Sequence, residues 1–321
     1  MAAPTPQPPL ARTLDAFLAS RVFLVAALAL AGVAAGLSFA GLLAEGPAAA
    51  VLALLVPGAL ALQMVRPALA GSIDPPTRGV AVLIAVAVAL VAALPAIGAV
   101  VPGAPVAAGE VARAGDRIEL PPGELGASSR VRLLVQAPLP PGGTPVVAFR
   151  FTGGGAPLSG EVERTVSYSR VGRGSRAAVA HDHDEVWVHG TLGAGATGLA
   201  LDRVDGPAAG PLKVSVHAEW LSPLAVLLSA LLVLVAAAIW EARLGGGHFA
   251  ALAGMALAYG LLVALNATPH AAMGTSLGAI LLGALAGAMA GGLLAMLARL
   301  GPWVREEPQE PPRRRGAKPK A

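Results

Sequence analysis

Residues 221–240, LSPLAVLLSALLVLVAAAIW, decide the fold class of this chain. The stretch contains no charged side chain, and at about 1.5 Å of rise per residue a helix of this length crosses the roughly 30 Å hydrocarbon core of a bilayer. Trp220 and Trp240 stand at its two ends, and tryptophan is favoured at both membrane–water interfaces. The stretch therefore predicts a membrane-spanning helix.

Similar apolar runs occur along the rest of the chain. They cover residues 22–44, 48–65, 79–101, 249–267 and 277–300. Hydrophobic residues make up 55% of the sequence and charged residues 13%, against about 25% charged residues in a typical soluble domain. We therefore expect an α-helical integral membrane protein with six transmembrane helices.

Residues 102–220, between the third and fourth apolar runs, have a different character. Glycine and proline clusters separate short segments with period-two alternation, such as RVRLLV, VVAFRF and EVWVHG. In LKVSVHAEW, apolar residues face one way, and the alternation predicts a solvent face for Lys213, Ser215, His217 and Glu219. This pattern is typical of short antiparallel strands, so we expect an inserted all-β domain, sandwich-like or jelly-roll-like.

The two ends of the chain are polar and rich in proline. Residues 1–21 are expected to form a cytoplasmic segment with a short interfacial helix, since Leu10, Leu14, Phe17 and Leu18 share one helical face. Residues 301–321 are expected to be a disordered, basic cytoplasmic tail.

The basic residues beside the six runs predict the orientation. If all six runs cross the membrane, every Lys and Arg outside residues 102–220 falls on one side of the bilayer, and cytoplasmic flanks are the ones enriched in Lys and Arg. These residues are Arg12, Arg21, Arg66, Arg78, Arg243, Arg299, Arg305, Arg313, Arg314, Arg315, Lys318 and Lys320. We therefore expect a bacterial inner membrane protein with both termini in the cytoplasm and the β domain in the periplasm.

The net charge of +4 indicates a lipid partner. The β domain is nearly neutral, with eleven basic and twelve acidic residues, so it offers no basic surface for nucleic acid. The excess positive charge flanks the spans, where anionic lipid attracts it.

Glycines spaced by four residues predict close helix packing. Gly32 and Gly36 lie in the first apolar run, and Gly283, Gly287 and Gly291 lie in the sixth. Such spacing puts small residues on one helical face, where two backbones approach closely. Either these helices pack against others of the same chain, or the glycines face a partner subunit or a second copy in a homo-oligomer.

The sequence lacks the motifs of several common enzyme classes. Cysteine is absent, which excludes disulfides and thiolate chemistry. The six apolar cores carry no Asp, Glu, Lys, Arg or His, Arg299 standing at the end of the last run, and such residues within the membrane usually mark ion paths or buried catalysts. No phosphate-binding loop, nucleophile elbow or His-Glu-x-x-His pair occurs, so we expect no enzyme and no cofactor apart from a possible divalent metal.

The possible metal site lies in HDHDEVWVHG, residues 181–190. If this stretch were one strand, its potential ligands would share a face and could hold a divalent metal: His181, His183, Glu185 and His189. The stretch resembles a shortened first motif of the cupin family, although His183 and Glu185 are closer than in that motif and no second motif supplies another histidine. Alternatively, AAVA and EVWVHG are neighbouring strands and HDHD is the polar turn between them.

Three functions are compatible with these patterns. The first is a non-enzymatic envelope protein whose periplasmic β domain binds a partner protein or an envelope saccharide. The second is a subunit of a transporter or permease. The third is a metal-dependent assembly factor or enzyme that uses His181 and His183.

Overall fold

The computed structural model describes residues 13–14, 16–18, 20–69, 75–121, 130–171, 175–219, 221–244 and 247–301. The predicted tail after residue 301, Trp220 and most of the predicted N-terminal segment lie outside this set. The described helices are α1 (Arg21–Phe39), α2 (Glu45–Leu69), α3 (Pro75–Val100), α4 (Pro223–Arg243), α5 (Phe249–Asn266) and α6 (Ala272–Arg299).

Five of these helices are long and apolar enough to cross a membrane. They are α2 to α6, in the segments Glu45–Ala68, Thr77–Val100, Pro223–Arg243, Phe249–Asn266 and Ala272–Arg299. The apolar segment of α1, Val25–Phe39, is shorter than these five segments. The chain is thus a membrane-embedded helical protein, and the sixth span stays a prediction.

Two helices begin at residues that differ from the starts of the predicted apolar runs. Helix α4 begins at Pro223, because the Ser222 side chain accepts a hydrogen bond from the Ala225 backbone N–H and proline favours the first helical turn. Helix α6 begins at Ala272, five residues before the run predicted from hydropathy. Its first turns contain Thr275 and Ser276, which lower hydropathy without preventing a helix.

The α1–α2 and α5–α6 connections lie at the same end of the helices. The Met273 N–H at the start of α6 donates to Glu45 Oε2 at 3.2 Å, and a Cβ at Gly46 would overlap the carbonyl oxygen of Val100 at the end of α3. The β domain enters after α3 and leaves before α4, so it is attached at this end too. The helices carry Arg66, Arg243 and Arg299 in their last turns at the opposite end.

Helix α5 packs most closely against α6. A Cβ at Gly287 would overlap the carbonyl oxygen of Gly254, and one at Gly291 would overlap that of Ala250. Gly283 likewise lies against Tyr259, whose N would be 2.8 Å from an added Cβ. The glycine row of α6 therefore lies at a contact within the chain. By contrast, a Cβ at Gly32 or Gly36 would meet nothing within 4 Å.

A buried carboxylate joins three helices at the end opposite the β domain. Glu241 of α4 is 4% exposed, and its Oε2 accepts a hydrogen bond from the Ala250 N–H at the start of α5 at 2.8 Å. Its Oε1 lies 3.3 Å from Arg299 Nη2 of α6. The carboxylate therefore satisfies one of the unpaired N–H groups at a helix N-terminus.

The β domain contains two antiparallel sheets. The described strands are β1 (Ala107–Val111), β2 (Arg117–Glu119), β3 (Arg130–Gln136), β4 (Val146–Thr152), β5 (Leu158–Val171), β6 (Ser175–His183), β7 (Glu185–Thr191), β8 (Gly198–Asp205) and β9 (Leu212–Ala218). One sheet has the order β1-β9-β3-β7, and the other has the order β2-β8-β4-β5-β6.

The two sheets share a single hydrophobic core within the described residues. Val131, Leu133 and Val135 of β3 belong to the same buried cluster as Phe149 and Phe151 of β4. Alternate residues of β3 point away from this core, as the pleat of a strand requires. On the four-stranded sheet, that second face is turned toward the membrane helices.

A one-atom change tests the α5–α6 contact. We expect Gly287→Ala to destabilise the protein by about 1–3 kcal/mol, because the added Cβ meets backbone that cannot move aside as a side chain can. Gly292→Ala is the matched control, since a Cβ there meets nothing within 4 Å and alanine is favoured over glycine in a helix. The measurement is thermal unfolding in detergent, and equal stability of the two variants would show that the contact is loose.

Candidate functional site

The second face of the four-stranded sheet lies on the ends of the membrane helices. The register pairs Arg132 of β3 with His189 of β7 and with His217 of β9. Leu134, on the same face, is 9% exposed although it lies outside the core of the β domain. This part of the face is therefore covered by another part of the protein, and its polar residues lie at a junction between the two domains.

Glu185 forms one polar contact of this junction. Its side chain is 2% exposed, and Oε1 accepts a hydrogen bond from the His270 backbone N–H at 2.6 Å. Oε2 accepts from Gln136 Nε2 at 3.0 Å. Because His270 belongs to the α5–α6 connection, this carboxylate joins the β domain to the membrane helices.

Arg132 forms the second polar contact. Its Nη2 donates to the carbonyl oxygen of Gly98, in the last turn of α3, at 2.7 Å. The guanidinium carbon lies 4.1 Å from the centroid of the Trp187 ring, a favourable cation–π distance. Burial lowers the pKa of this guanidinium and the Glu219 carboxylate opposes that change, so the group stays charged at neutral pH.

The predicted solvent exposure of His217 is wrong. His217 is 6% exposed, and its ring lies edge-on to Trp187 with 5.5 Å between the ring centroids. Burial lowers the pKa of its imidazole, the Arg132 charge lowers it further, and a hydrogen bond to the Gly103 backbone opposes both effects. The alternation of β9 correctly separates two faces, but the membrane domain covers the His217 end of the face expected to meet water, while Lys213 on that face is exposed.

His189 and Glu219 form the third polar group of the junction. His189 Nδ1 lies 2.7 Å from Glu219 Oε1, and the side chains are 27% and 9% exposed. Glu219 follows β9 directly, so the pair sits where the β domain returns to the membrane.

A cavity of about 270 Å³ opens between this pair, Arg132 and the helix ends. We call it the junction notch. Its polar wall consists of Arg132, His189 and Glu219, and its apolar wall is formed by Leu94, Pro95, Gly98, Ala218, Leu221, Pro223, Val226, Ala264 and Leu265. Leu94 and Leu265 are more than half exposed, so the apolar wall continues onto the surface that the helices present to lipid.

The predicted metal ligands are distributed over two strands. Residues 181–190 are not one strand: β6 ends at His183 in the five-stranded sheet, and β7 begins at Glu185 in the four-stranded sheet. The strands β6 and β7 are also not neighbours in one sheet joined by a turn, because the chain passes from one sheet to the other at Asp184. The expected shared row therefore breaks there.

The three ligand candidates with described side chains have separate surroundings. Glu185 and His189 lie on the same face of β7 but bond to different partners, while His183 is exposed on β6. The His181 side chain lies outside the described residues. Among the described side chains, no three metal-capable groups come together, and the metal site stays a prediction.

Sequence patterns did not single out Arg132, Trp187 or the notch. The signal that could have found them is the pairing of RVRLLV with EVWVHG, which puts Arg132 beside the His189 position and Trp187 beside Leu134. Arg132 then lies on a strand face whose neighbours include Leu134 and Trp187, and a charged group among such neighbours needs a partner if the face is buried.

The lowered pKa of His217 predicts a pH effect on stability. The unfolded chain takes up the proton more readily than the folded one, so stability from neutral His217 is fully present above about pH 6.5 and is lost as the pH falls below it. We expect the unfolding temperature to drop from about pH 7.5 to about pH 5.5, and to drop less in His217→Gln. The control His183→Gln alters an exposed ring, and an equal drop in all three proteins would contradict the assignment.

Comparison of the chain with protein-family models, with curated proteins and with solved structures found no match.

Proposed function

We propose that this chain is a non-enzymatic, six-span protein of a bacterial inner membrane that binds an amphiphile of the outer leaflet in the junction notch. Both termini are cytoplasmic in this proposal, and the β domain is a periplasmic sandwich. The observation that carries the proposal is the notch itself, where three charged or polar side chains face an apolar wall built from the ends of α3 and α5 and the start of α4.

The shape and chemistry of the notch match a molecule with one polar and one apolar end. Ligand sites combine apolar walls with a few convergent polar groups, and this site lies at the boundary where an amphiphile has its headgroup. Leu221, 57% exposed, extends the apolar wall at the start of α4. A tail could therefore remain against the helices while the headgroup meets Arg132, His189 and Glu219.

The orientation rests on the basic residues and on the shared end of the connections. Arg66, Arg243 and Arg299 lie at the end of the bundle opposite the β domain, and basic flanks are favoured on the cytoplasmic side. A β domain on the other side of the membrane follows from this arrangement. The α1 helix has 19 residues, about 28 Å at 1.5 Å per residue, which supports its proposed role as the first span.

A second candidate ligand is a partner protein or an envelope saccharide, bound by the β domain alone. An open cleft of about 770 Å³ lies beside β2 and the glycine-rich loops that follow β4 and β7. Arg117, Glu119 and Thr152 line it, and their polar groups suit hydroxyl or peptide ligands. This cleft has no apolar wall from the membrane domain.

The absence of cysteine permits a direct test of orientation. In intact cells, a membrane-impermeant maleimide is expected to label Ser159→Cys, which is exposed on β5, and to spare Ala317→Cys in the predicted cytoplasmic tail. Both variants should react after the membrane is permeabilised. Labelling of Ala317→Cys and protection of Ser159→Cys in intact cells would reverse the proposed topology.

Filling the notch tests the binding site. We expect Ala264→Trp to reduce the phospholipid bound to the protein at least severalfold, because the indole ring occupies the space beside the polar wall. The measurement is native mass spectrometry of the detergent-solubilised full chain titrated with an equimolar mixture of diacyl phosphatidylethanolamine, phosphatidylglycerol and phosphatidylcholine.

Leu281→Trp is the matched control, since Leu281 is 75% exposed on α6 and does not line the notch. This variant should bind as much phospholipid as the unmodified chain. If Ala264→Trp also binds the same amount, the lipid adheres elsewhere and the proposed function fails.

A further inference from the structure

The notch wall carries one full positive and one full negative charge side by side. Arg132 and Glu219 both line the cavity, and Glu219 is one of the charges that act on the Arg132 guanidinium. The third polar residue of the wall, His189, is engaged with Glu219, its Nδ1 lying 2.7 Å from Oε1. The wall therefore offers a cation and an anion to the same ligand.

Arg132 has hydrogen-bonding capacity left for a ligand. A guanidinium has five N–H donors, and in the described part of the chain Arg132 uses one, toward the Gly98 carbonyl. Its stacking on Trp187 and the bond to Gly98 hold the group in place. A fixed guanidinium with free donors is the group that proteins use to bind phosphate through two parallel hydrogen bonds.

Glu219 has hydrogen-bond acceptor capacity left for a ligand. Oε1 faces His189 Nδ1 at 2.7 Å, and no hydrogen bond within the described residues engages Oε2. The side chain is 9% exposed, so this oxygen is largely removed from water. A carboxylate oxygen in that position favours a cationic donor, and a primary ammonium provides three N–H groups.

A headgroup with charge of only one sign would make an unfavourable contact with one of the two side chains. A purely anionic headgroup would bring its charge close to Glu219, and a purely cationic one would bring its charge close to Arg132. Like charges at close range in a partly desolvated site are costly. A headgroup that carries phosphate and ammonium a few bonds apart satisfies both side chains.

We propose that the junction notch selects a zwitterionic phospholipid headgroup, with the phosphate on Arg132 and a primary ammonium on Glu219. This inference rests on the proposed function, since it names the class of amphiphile that the notch binds. The ammonium must be primary, because a trimethylated nitrogen has no N–H to donate to Glu219. The cavity of about 270 Å³ receives the headgroup while the acyl chains stay against Leu94 and Leu265.

The lipid titration with Ala264→Trp also tests this headgroup selection, because its mixture contains three phospholipids with different headgroups. In the unmodified chain, bound phosphatidylethanolamine is expected to exceed phosphatidylglycerol and phosphatidylcholine roughly tenfold to a hundredfold, the range of one hydrogen bond to a charged group. Glu219→Gln removes the negative charge and keeps the side-chain shape. This variant is expected to lose the preference and to bind phosphatidylglycerol at least as well as phosphatidylethanolamine.

Glu161→Gln provides the control, since Glu161 is an exposed carboxylate on β5 outside the notch. It should keep the preference of the unmodified chain. Equal binding of the three lipids by the unmodified chain, or an unchanged preference in Glu219→Gln, would overturn the inference. Both results leave the proposed function standing if Ala264→Trp still reduces total binding, so the two failures are distinguishable.

Discussion

The structure depends on charged side chains that satisfy backbone groups at helix ends. A helix leaves its first N–H groups and last carbonyls without partners, and the ends of several helices are buried here. Glu241 accepts from the start of α5 and Glu45 from the start of α6. Glu185 accepts just before α6, and Arg132 donates to a carbonyl in the last turn of α3. In each case the sign of the side chain opposes that of the helix dipole.

Two of these contacts determine how the β domain sits on the membrane helices. Glu185 and Arg132 both come from the four-stranded sheet, on its second face. Removing either partner of such a contact leaves a buried group unpaired, which costs about 1–3 kcal/mol or more for a charge. The domain is therefore held by specific bonds as well as by its two chain connections. The notch exists because this orientation leaves a gap between Glu219 and the helix ends.

The sequence predicts the helices and the β character well, since both follow from hydrophobic pattern alone. A run of apolar residues near twenty long requires lipid, and alternation over five to seven residues requires a strand with two unlike faces. Alternation does not show whether water or another part of the protein covers each face. Alternation predicts that His217 faces water for that reason, whereas the helix ends bury it.

The junction notch could not be derived from the sequence, because its residues come together only through long-range pairing. Arg132, His189 and Glu219 are far apart in the chain, and the antiparallel register places the first two side by side. The HDHD stretch shows the converse situation: residues adjacent in sequence belong to different sheets on either side of Asp184. Proximity along the chain predicts a metal site there, and the fold distributes its described candidates over two strands, with His183 on β6 and Glu185 and His189 on β7.

The interior of the helical bundle explains why polar chemistry is concentrated at the junction. Buried alanines such as Ala53, Ala96 and Ala253 line the contacts between helices, and the glycine row of α6 brings its backbone against α5. Close backbone packing is the main source of helix association in lipid, where the hydrophobic effect gives no advantage. A bundle packed in this way serves as a rigid base, so Gly98 and the α5–α6 connection hold fixed positions for Arg132 and Glu185. The geometry of the notch is then set by the membrane domain, although the β domain supplies all of its charged groups.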